Sequence, residues 1–404
     1  APSWGTDAVA RSPKRRSTDQ DVARSLEQLL AAKEIVIFCG SGGVGKTTTA
    51  AAAGAMAATH LGGKVLVLTV DPAKRLADAL GIGALGNKAT RVPADAFDGV
   101  GVEPRGELWA AMLDTKAGWD ELIRRHAPNA AVRASVLANP LYQNITGRFV
   151  HSHDYLAMDQ LHELHASGRF DLIIVDTPPS RNALDVLDAP GRMKEFFGSR
   201  LLKWLTLPYR SRLFTAASKP FYQVADRVLG SRFLQDIAEF FILFQAMEPG
   251  FVSHAREVEQ VLVDPRTTFV VVSTLEAAPT HEASYLSRAL RARDMHLGAI
   301  IANRVLPSAT TSKASTTSAR KLAALDSETV QRVAGALDAE PDVVDGVLRD
   351  VAAQFHDTAM VATRESERRA ELAALAPLLV SIPLLEGDAN DVADLLEIAA
   401  HFDT

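Results

Sequence analysis

A doubly wound α/β fold, with a mostly parallel sheet, is predicted by three features of the sequence. Short apolar runs recur without polar alternation, helical spacers separate them, and the first run ends in a glycine-rich turn that opens a helix. Continuous apolar runs mark strands buried on both faces, and helical spacers make the connections between them parallel.

The elements follow in order. Ala1 to Gln20 are polar, with basic residues at Arg11, Lys14, Arg15 and Arg16, and read as a disordered tail without the apolar stretch of a secretory signal. Asp21–Lys33 is expected to be a short helix. Glu34–Cys39 (EIVIFC) is the first strand, Lys46–His60 an Ala-rich helix, and Lys64–Val70 (KVLVLTV) the second strand. Phe170–Asp176 (FDLIIVD), Thr267–Ser273 (TTFVVVS) and Leu297–Asn303 (LGAIIAN) repeat the pattern, and Leu378–Ile382 is the expected last strand. Two stretches interrupt it and read as helical, Gly106–Gly168 and Pro190–Val263. In the second, Met193, Phe196, Phe197, Leu201, Leu202 and Leu205 recur at helical spacing. Together they suggest one all-helical subdomain built from two insertions. Ser308–Arg320 is Ser/Thr-rich and reads as a mobile loop, with polar, charged helices following up to Ala376.

Composition narrows the function. The chain has 404 residues, 47% apolar and 23% charged, enough to bury a sizeable core. Acidic residues outnumber basic ones by 49 to 43, so nucleic acid is not expected as the main partner. Cys39 is the one cysteine, which excludes an intrachain disulfide and any all-cysteine zinc or iron–sulfur site within the chain. No run reaches the roughly 18–20 apolar residues of a spanning helix, and a cytoplasmic protein is expected.

Gly40-Ser41-Gly42-Gly43-Val44-Gly45-Lys46-Thr47 matches the phosphate-loop pattern G-x-x-x-x-G-K-[ST]. Its glycines let backbone N–H groups turn toward phosphate oxygens at the positive end of the following helix. Gly42, Gly43, Val44, Gly45 and Thr48 are the expected backbone cradle. Lys46 should reach the β- and γ-phosphates of ATP, and Thr47 should place its hydroxyl on Mg²⁺. The pattern follows a strand and opens a helix, the context it requires. Leu172–Asp176 supplies four apolar residues ending in a carboxylate at the carboxyl edge of the sheet, where it can hold the Mg²⁺ shell. Asp71 ends the second strand. It can orient or deprotonate the attacking water, or cap a helix ahead of Pro72 at the first helical position, and the two roles can coexist. The layout is then a tail (1–20), a nucleotide core (21–105, 169–190, 264–307 and 375–404), a helical subdomain (106–168 and 191–263) and a flexible loop with helices (308–374).

GSGGVGKTTTA resembles the deviant Walker A motif shared by arsenite-pump ATPases, tail-anchored-protein-targeting ATPases, partition and septum-site ATPases and nitrogenase iron protein. TVDPAKRLADAL (Thr69–Leu80) is similar to the first switch of the arsenite-pump and tail-anchored-targeting branch, and DTPPSRNALDVLDAP (Asp176–Pro190) to its second. NRVLP (Asn303–Pro307) resembles the adenine-side motif of that branch, and IPLL (Ile382–Leu385) its last strand and adenine loop. The resemblance runs from about Glu34 to the C-terminus. It implies a dimer that closes over two ATP molecules and handles a hydrophobic protein client or a membrane component. Asp71 would position water, Asp176 would sense the γ-phosphate, Asn303 would read the adenine edge, and backbone near Pro383 would pack on the base.

Three departures matter. Ser41 stands where the family has its signature lysine, and serine cannot supply that charge. Arg181-Asn182 replaces Gly-His in the second switch. The zinc-binding cysteine pair of tail-anchored-targeting members is absent, so neither zinc nor an iron–sulfur cluster is expected. Either a homodimer uses Arg181 for the missing charge, or the chain pairs with a paralogue that keeps the lysine and is itself a weakly hydrolysing regulatory subunit. A partition-type ATPase acting on DNA or membrane is the other alternative. His151, His153, His162, His165 and Asp154 invite a metal reading, but surface or capping histidines are the expectation. The apolar segments Phe196–Leu207 and Phe233–Phe251 read mainly as subdomain core, with a client groove carried by analogy alone.

Overall fold

A computed structural model describes residues 23–70, 74–83, 85–101, 103–113, 115–145, 152–178, 240–243 and 246–403. The basic tail, Asp71, Arg181-Asn182 and the segment Phe196–Leu207 lie outside these residues.

Among the described residues, eight strands form one sheet, β1 (Ile35–Cys39), β2 (Gly63–Thr69), β3 (Thr90–Arg91), β4 (Gly106–Met112), β5 (Leu172–Asp176), β6 (Thr267–Ser273), β7 (Leu297–Val305) and β8 (Leu379–Pro383). Their spatial order is β3-β4-β2-β5-β1-β6-β7-β8. All neighbours pair parallel except β3 with β4. Strand side chains alternate between faces. Ile35, Ile37 and Cys39 face one buried layer with Ile173, Val175 and Phe269, while Val36 and Phe38 face the other with Val67 and Val272. This two-sided burial is what the unbroken apolar runs announced. Cys39 sits in the first layer, and burial pushes its thiol up to about 12, as expected of a core cysteine.

Helices Thr115–His126, Ser152–Ala166, Glu248–Val263 and Ala277–Ala292 cover one face. The Ala-rich helix Lys46–Met56 and the helix Val392–Ala399 cover the other. Ala50, Ala52, Ala53 and Ala55 are wholly buried, and their small side chains bring the first helix close to the sheet. The approach is tightest at Gly54, where an added Cβ would lie 2.4 Å from Val67 Cγ2.

Two expectations are corrected. Gly106–Met112 (GELWAAM) is a core strand, paired in register with β2 from Gly63↔Gly106 to Thr69↔Met112. Its Glu, Leu, Ala and Met are good helix formers, and pairing along β2 overrides that preference. The Ser/Thr-rich segment is not a loop throughout. A 3₁₀ turn (Ser308–Thr311) leads into a helix, Lys313–Ala323. Ser312 Oγ caps it by accepting from the Ser315 N–H at 3.1 Å, and Thr316 and Thr317 hydroxyls donate back to the carbonyls of Ser312 and Lys313. Hydroxyl side chains that suggested a loop here serve as cap and back-bonds instead.

The polar helices that follow are Ser327–Leu337 and the 33-residue Pro341–Ala373. The long helix joins the core through its C-terminal half. Glu365 Oε2 accepts from the Leu306 N–H at 3.1 Å, and Arg368 donates to Leu275 O at 2.8 Å. Among the described residues, no helix is long and apolar enough to cross a membrane.

Candidate nucleotide site

The phosphate loop leaves β1 at the middle of the sheet. Gly40 has φ +147°, and a Cβ there would lie 2.1 Å from Val272 O, so no side chain fits. Gly45 precedes the helix at φ +93°, where a Cβ would meet Asn303 Nδ2 at 2.3 Å. Both positions explain why the motif requires glycine. Asn303, two residues before the end of β7, donates its Nδ2 to Val44 O at 2.8 Å and accepts from the Arg304 N–H at 2.9 Å. Its amide therefore clamps the loop from below.

Lys46 is buried, and its Nζ donates to Ser41 O at 2.8 Å. The hydroxyl of Ser41 is buried without a hydrogen-bond partner among the described residues. At the position of the expected cross-dimer lysine, the chain offers a backbone carbonyl to its own phosphate-loop lysine.

Three strand ends converge beside the loop. Asp176, the last residue of β5, is fully buried. Its Oδ2 accepts from Thr47 Oγ1 at 2.7 Å and from Thr69 Oγ1 at 3.0 Å. Thr69 closes β2 directly opposite Asp176 in the parallel register. Thr177 fastens the same corner to β1, donating both its N–H and its hydroxyl to Phe38 O. A hydroxyl and a carboxylate side by side, both hard oxygen donors, fit a hard dication at the mouth of the loop. The two residues expected to serve the metal, Thr47 and Asp176, are thus brought together.

A cavity of about 450 Å³ opens over the loop, bounded by Lys46, Thr47, Asp78, Thr177, Arg304 and Asn390. That volume lies in the ~300–1,000 Å³ range of small-molecule sites. Gly43, Gly45 and Thr48 also reach it. Pro383 ends β8 opposite Val305, and the lining on that side comes instead from Asp388 to Asn390.

Several residues at the site were not legible beforehand. Thr69 looked like the end of an apolar strand, and only its register against Asp176 shows its role. Arg304 adopts φ +58°, a left-handed turn just after Asn303, which no local signal marks. Glu282 lies on the helix after β6 with Oε1 buried and without a hydrogen-bond partner among the described residues. Burial pushes its pKa up, while the charge of Lys46 pulls it down. Asp71 and Arg181 fall outside the described residues.

The histidine expectation changes form. His165 Nε2 lies within hydrogen-bond distance of Glu34 Oε2 at 2.9 Å, a part-buried contact at the far end of the sheet. His162 instead faces His254, with ring centroids 4.7 Å apart. Sequence spacing gave no sign of this, because the partners come from separate helices.

A phosphate loop after the central strand of a parallel sheet, with Thr47 and a buried Asp176 in contact, defines a P-loop nucleotide-binding protein. The family described as anion-transporting ATPase matches residues 33–336, and the chain belongs to this family of ATPases. It is 24% identical to the ATPase ASNA1 homolog of Entamoeba dispar over 70% of this chain and 80% of that protein. It is 26% identical to the ATPase GET3 of Malassezia globosa over 70% of this chain and 76% of that protein. A protein assigned as an arsenical pump-driving ATPase in Aquifex aeolicus is 24% identical over 68% of this chain, which spans 63% of that relative's length.

Proposed function

We propose that the chain is a Mg²⁺-dependent ATPase that works as a dimer and uses nucleotide-driven movement to handle a protein or membrane partner. The observation that carries the chemistry is the contact of Thr47 and Thr69 with the buried carboxylate of Asp176, beside Lys46 and under an open cavity. When bound, Mg²⁺ would neutralise charge on the β- and γ-phosphate oxygens. Thr47 would meet the ion directly. Asp176 would hold its outer shell, with Thr69 fixing the carboxylate's orientation. Lys46 would exchange the Ser41 carbonyl for phosphate oxygens, so a nucleotide both gains a cation and frees the loop. Asp71 is the candidate for orienting the attacking water, with Asn303 holding the loop and Arg304 reaching toward the nucleotide.

The partner class rests on the family. A tail-anchored-protein-targeting or anion-pump role fits the similarity to GET3, ASNA1-type and arsenical-pump relatives. A second reading is favoured by Ser41: the chain is a slow subunit of a heterodimer whose partner supplies the lysine. ATP turnover measured together with mass by light scattering separates the two. Turnover by a homodimer, abolished by Lys46→Ala and by Asp71→Asn, supports the self-sufficient ATPase. Tight MgATP binding without turnover, restored by a lysine-bearing paralogue, supports the second.

A further inference from the structure

Three helices on one face of the sheet meet at a group of ligating side chains, two of them buried and one half-buried. His126 ends the helix Thr115–His126, Asp159 lies within Ser152–Ala166, and His254 lies within Glu248–Val263. Their ligand atoms fall within 4.8 Å of one another. His162 and Glu257 stand one helical turn away and form a second such group with His254. We propose that His126, Asp159 and His254 bind one transition-metal dication of the Zn²⁺ class, which pins these helices together.

Three observations point to a ligand. The first is unmet chemistry in a buried place. His254 is 5% exposed, and neither its Nε2 nor that of His126 makes a hydrogen bond among the described residues. His254 Nε2 lies 2.6 Å from Asp159 Oδ1 without the alignment of a ring N–H donation; burial pulls the His254 pKa down, and the adjoining Asp159 carboxylate raises it overall. Bonds of about 2.0–2.1 Å in a tetrahedral site place ligand atoms roughly 3.3 Å apart, so small side-chain rotations would complete the set.

The second is the outer layer. His254 Nδ1 faces Glu257 Oε2 at 3.5 Å. A carboxylate behind one ring nitrogen fixes that proton and leaves the other nitrogen as a lone pair, the usual support for a ligating histidine. Asp159 is held in turn by Arg125 Nη1 at 3.2 Å, which also reaches Glu163 at 3.1 Å.

The third is charge. Asp159 and Glu163 face Arg125, and Glu257 faces His254. Carboxylates therefore outnumber the guanidinium, and a dication is drawn to the same place. Two imidazole nitrogens and one carboxylate oxygen suit Zn²⁺ better than Mg²⁺ or Ca²⁺, which prefer oxygen alone. This donor set is unrelated to the cysteine pair whose absence removed the expectation of zinc, and it is remote from the phosphate loop in sequence.

The test uses the untagged full chain, stripped with chelator and titrated with Zn²⁺ alone against a chromophoric competitor, with metal content measured after dialysis. One tightly held equivalent per chain is expected. His126→Asn, a half-buried helix-end change, should weaken it by about tenfold or more, and Glu257→Gln should weaken it by a similar or smaller factor. The exposed His356→Asn should leave it unchanged. Bound Co²⁺ should show the strong visible absorption of a tetrahedral site, and His126→Asn should lose it. If no equivalent survives dialysis, or His126→Asn retains it fully, the site is overturned and the cluster is an ion pair between a protonated His254 and its carboxylates.

Discussion

At the scale of single residues, the nucleotide site is held by contacts that leave little slack. Asp176 is fully buried, and its Oδ2 is positioned by two hydroxyls from different elements. Thr69→Val removes one donor from a buried carboxylate, a change that costs on the order of 1–3 kcal/mol. The expected outcome is a folded protein that needs several-fold more Mg²⁺ for half-maximal ATP turnover, with kcat at saturating Mg²⁺ little changed. An unchanged Mg²⁺ requirement would mean that Thr69 does not orient the carboxylate. Glu282 offers a second check, through pH. Its folded-state pKa is raised by burial, so folding disfavours the ionised form. That penalty is absent at acid pH and accumulates as pH rises from the ordinary glutamate value of about 4.3 through the folded value. Glu282→Gln should therefore raise Tm at pH 7, and the gain should shrink toward pH 4. A lowered Tm at pH 7 would show that the attraction to Lys46 outweighs desolvation.

At the scale of elements, the phosphate loop and the strands β1, β5 and β6 were legible because their signals are local. Unbroken apolar runs and required glycines sit within a few residues of one another. Strand β4 was not, because Glu107, Leu108, Ala110, Ala111 and Met112 carry helical preference and only the β2 partner decides their state. The same holds for Asp388–Asn390, whose place at the cavity depends on β8 lying beside β7. The Ser312 cap could have been read from sequence, since a serine ahead of a helical pattern is a start signal, but the density of Ser and Thr masked it. The Ala-rich helix shows local preference and packing in opposition. Replacing a mid-helix glycine by alanine usually gains up to about 1 kcal/mol. At Gly54 the new methyl would lie 2.4 Å from Val67 Cγ2 and 3.4 Å from Leu108 Cδ1, and overpacking costs ~1–3 kcal/mol. Packing should win, so Gly54→Ala should lower stability in urea unfolding. Adding Val67→Ala should recover part of the loss, giving a favourable coupling in the double-mutant cycle. Additive losses would show that the helix shifts to absorb the methyl.

At the scale of the whole molecule, the question is how the nucleotide cavity communicates with the rest of the chain. The helix Pro341–Ala373 has 33 residues, a length of about 50 Å. Its N-terminal half packs with Ser327–Leu337 through Val330, Ala334 and Val344. Its C-terminal half is fixed to the core at Leu306 and Leu275, and Arg291 donates to Leu375 O just past the helix's end. Leu306 follows Arg304 by two residues, and Arg304 lines the cavity. A nucleotide that engages Arg304 or displaces Asn303 from Val44 would therefore pull on the backbone that Glu365 holds, and so on the long helix. Hydrogen exchange with and without a nonhydrolysable ATP analogue measures this. Amides around residues 304–306 and 361–368 should both gain protection with nucleotide, while those of Ser327–Leu337 should change little. Glu365→Ala leaves the Leu306 N–H unpaired, costing about 1–3 kcal/mol locally. In that variant the phosphate-loop amides should still respond to the analogue, and those near residue 365 should not. A helix response that survives Glu365→Ala would place the coupling elsewhere, with the Arg368–Leu275 contact beside β6 as the next bond to cut.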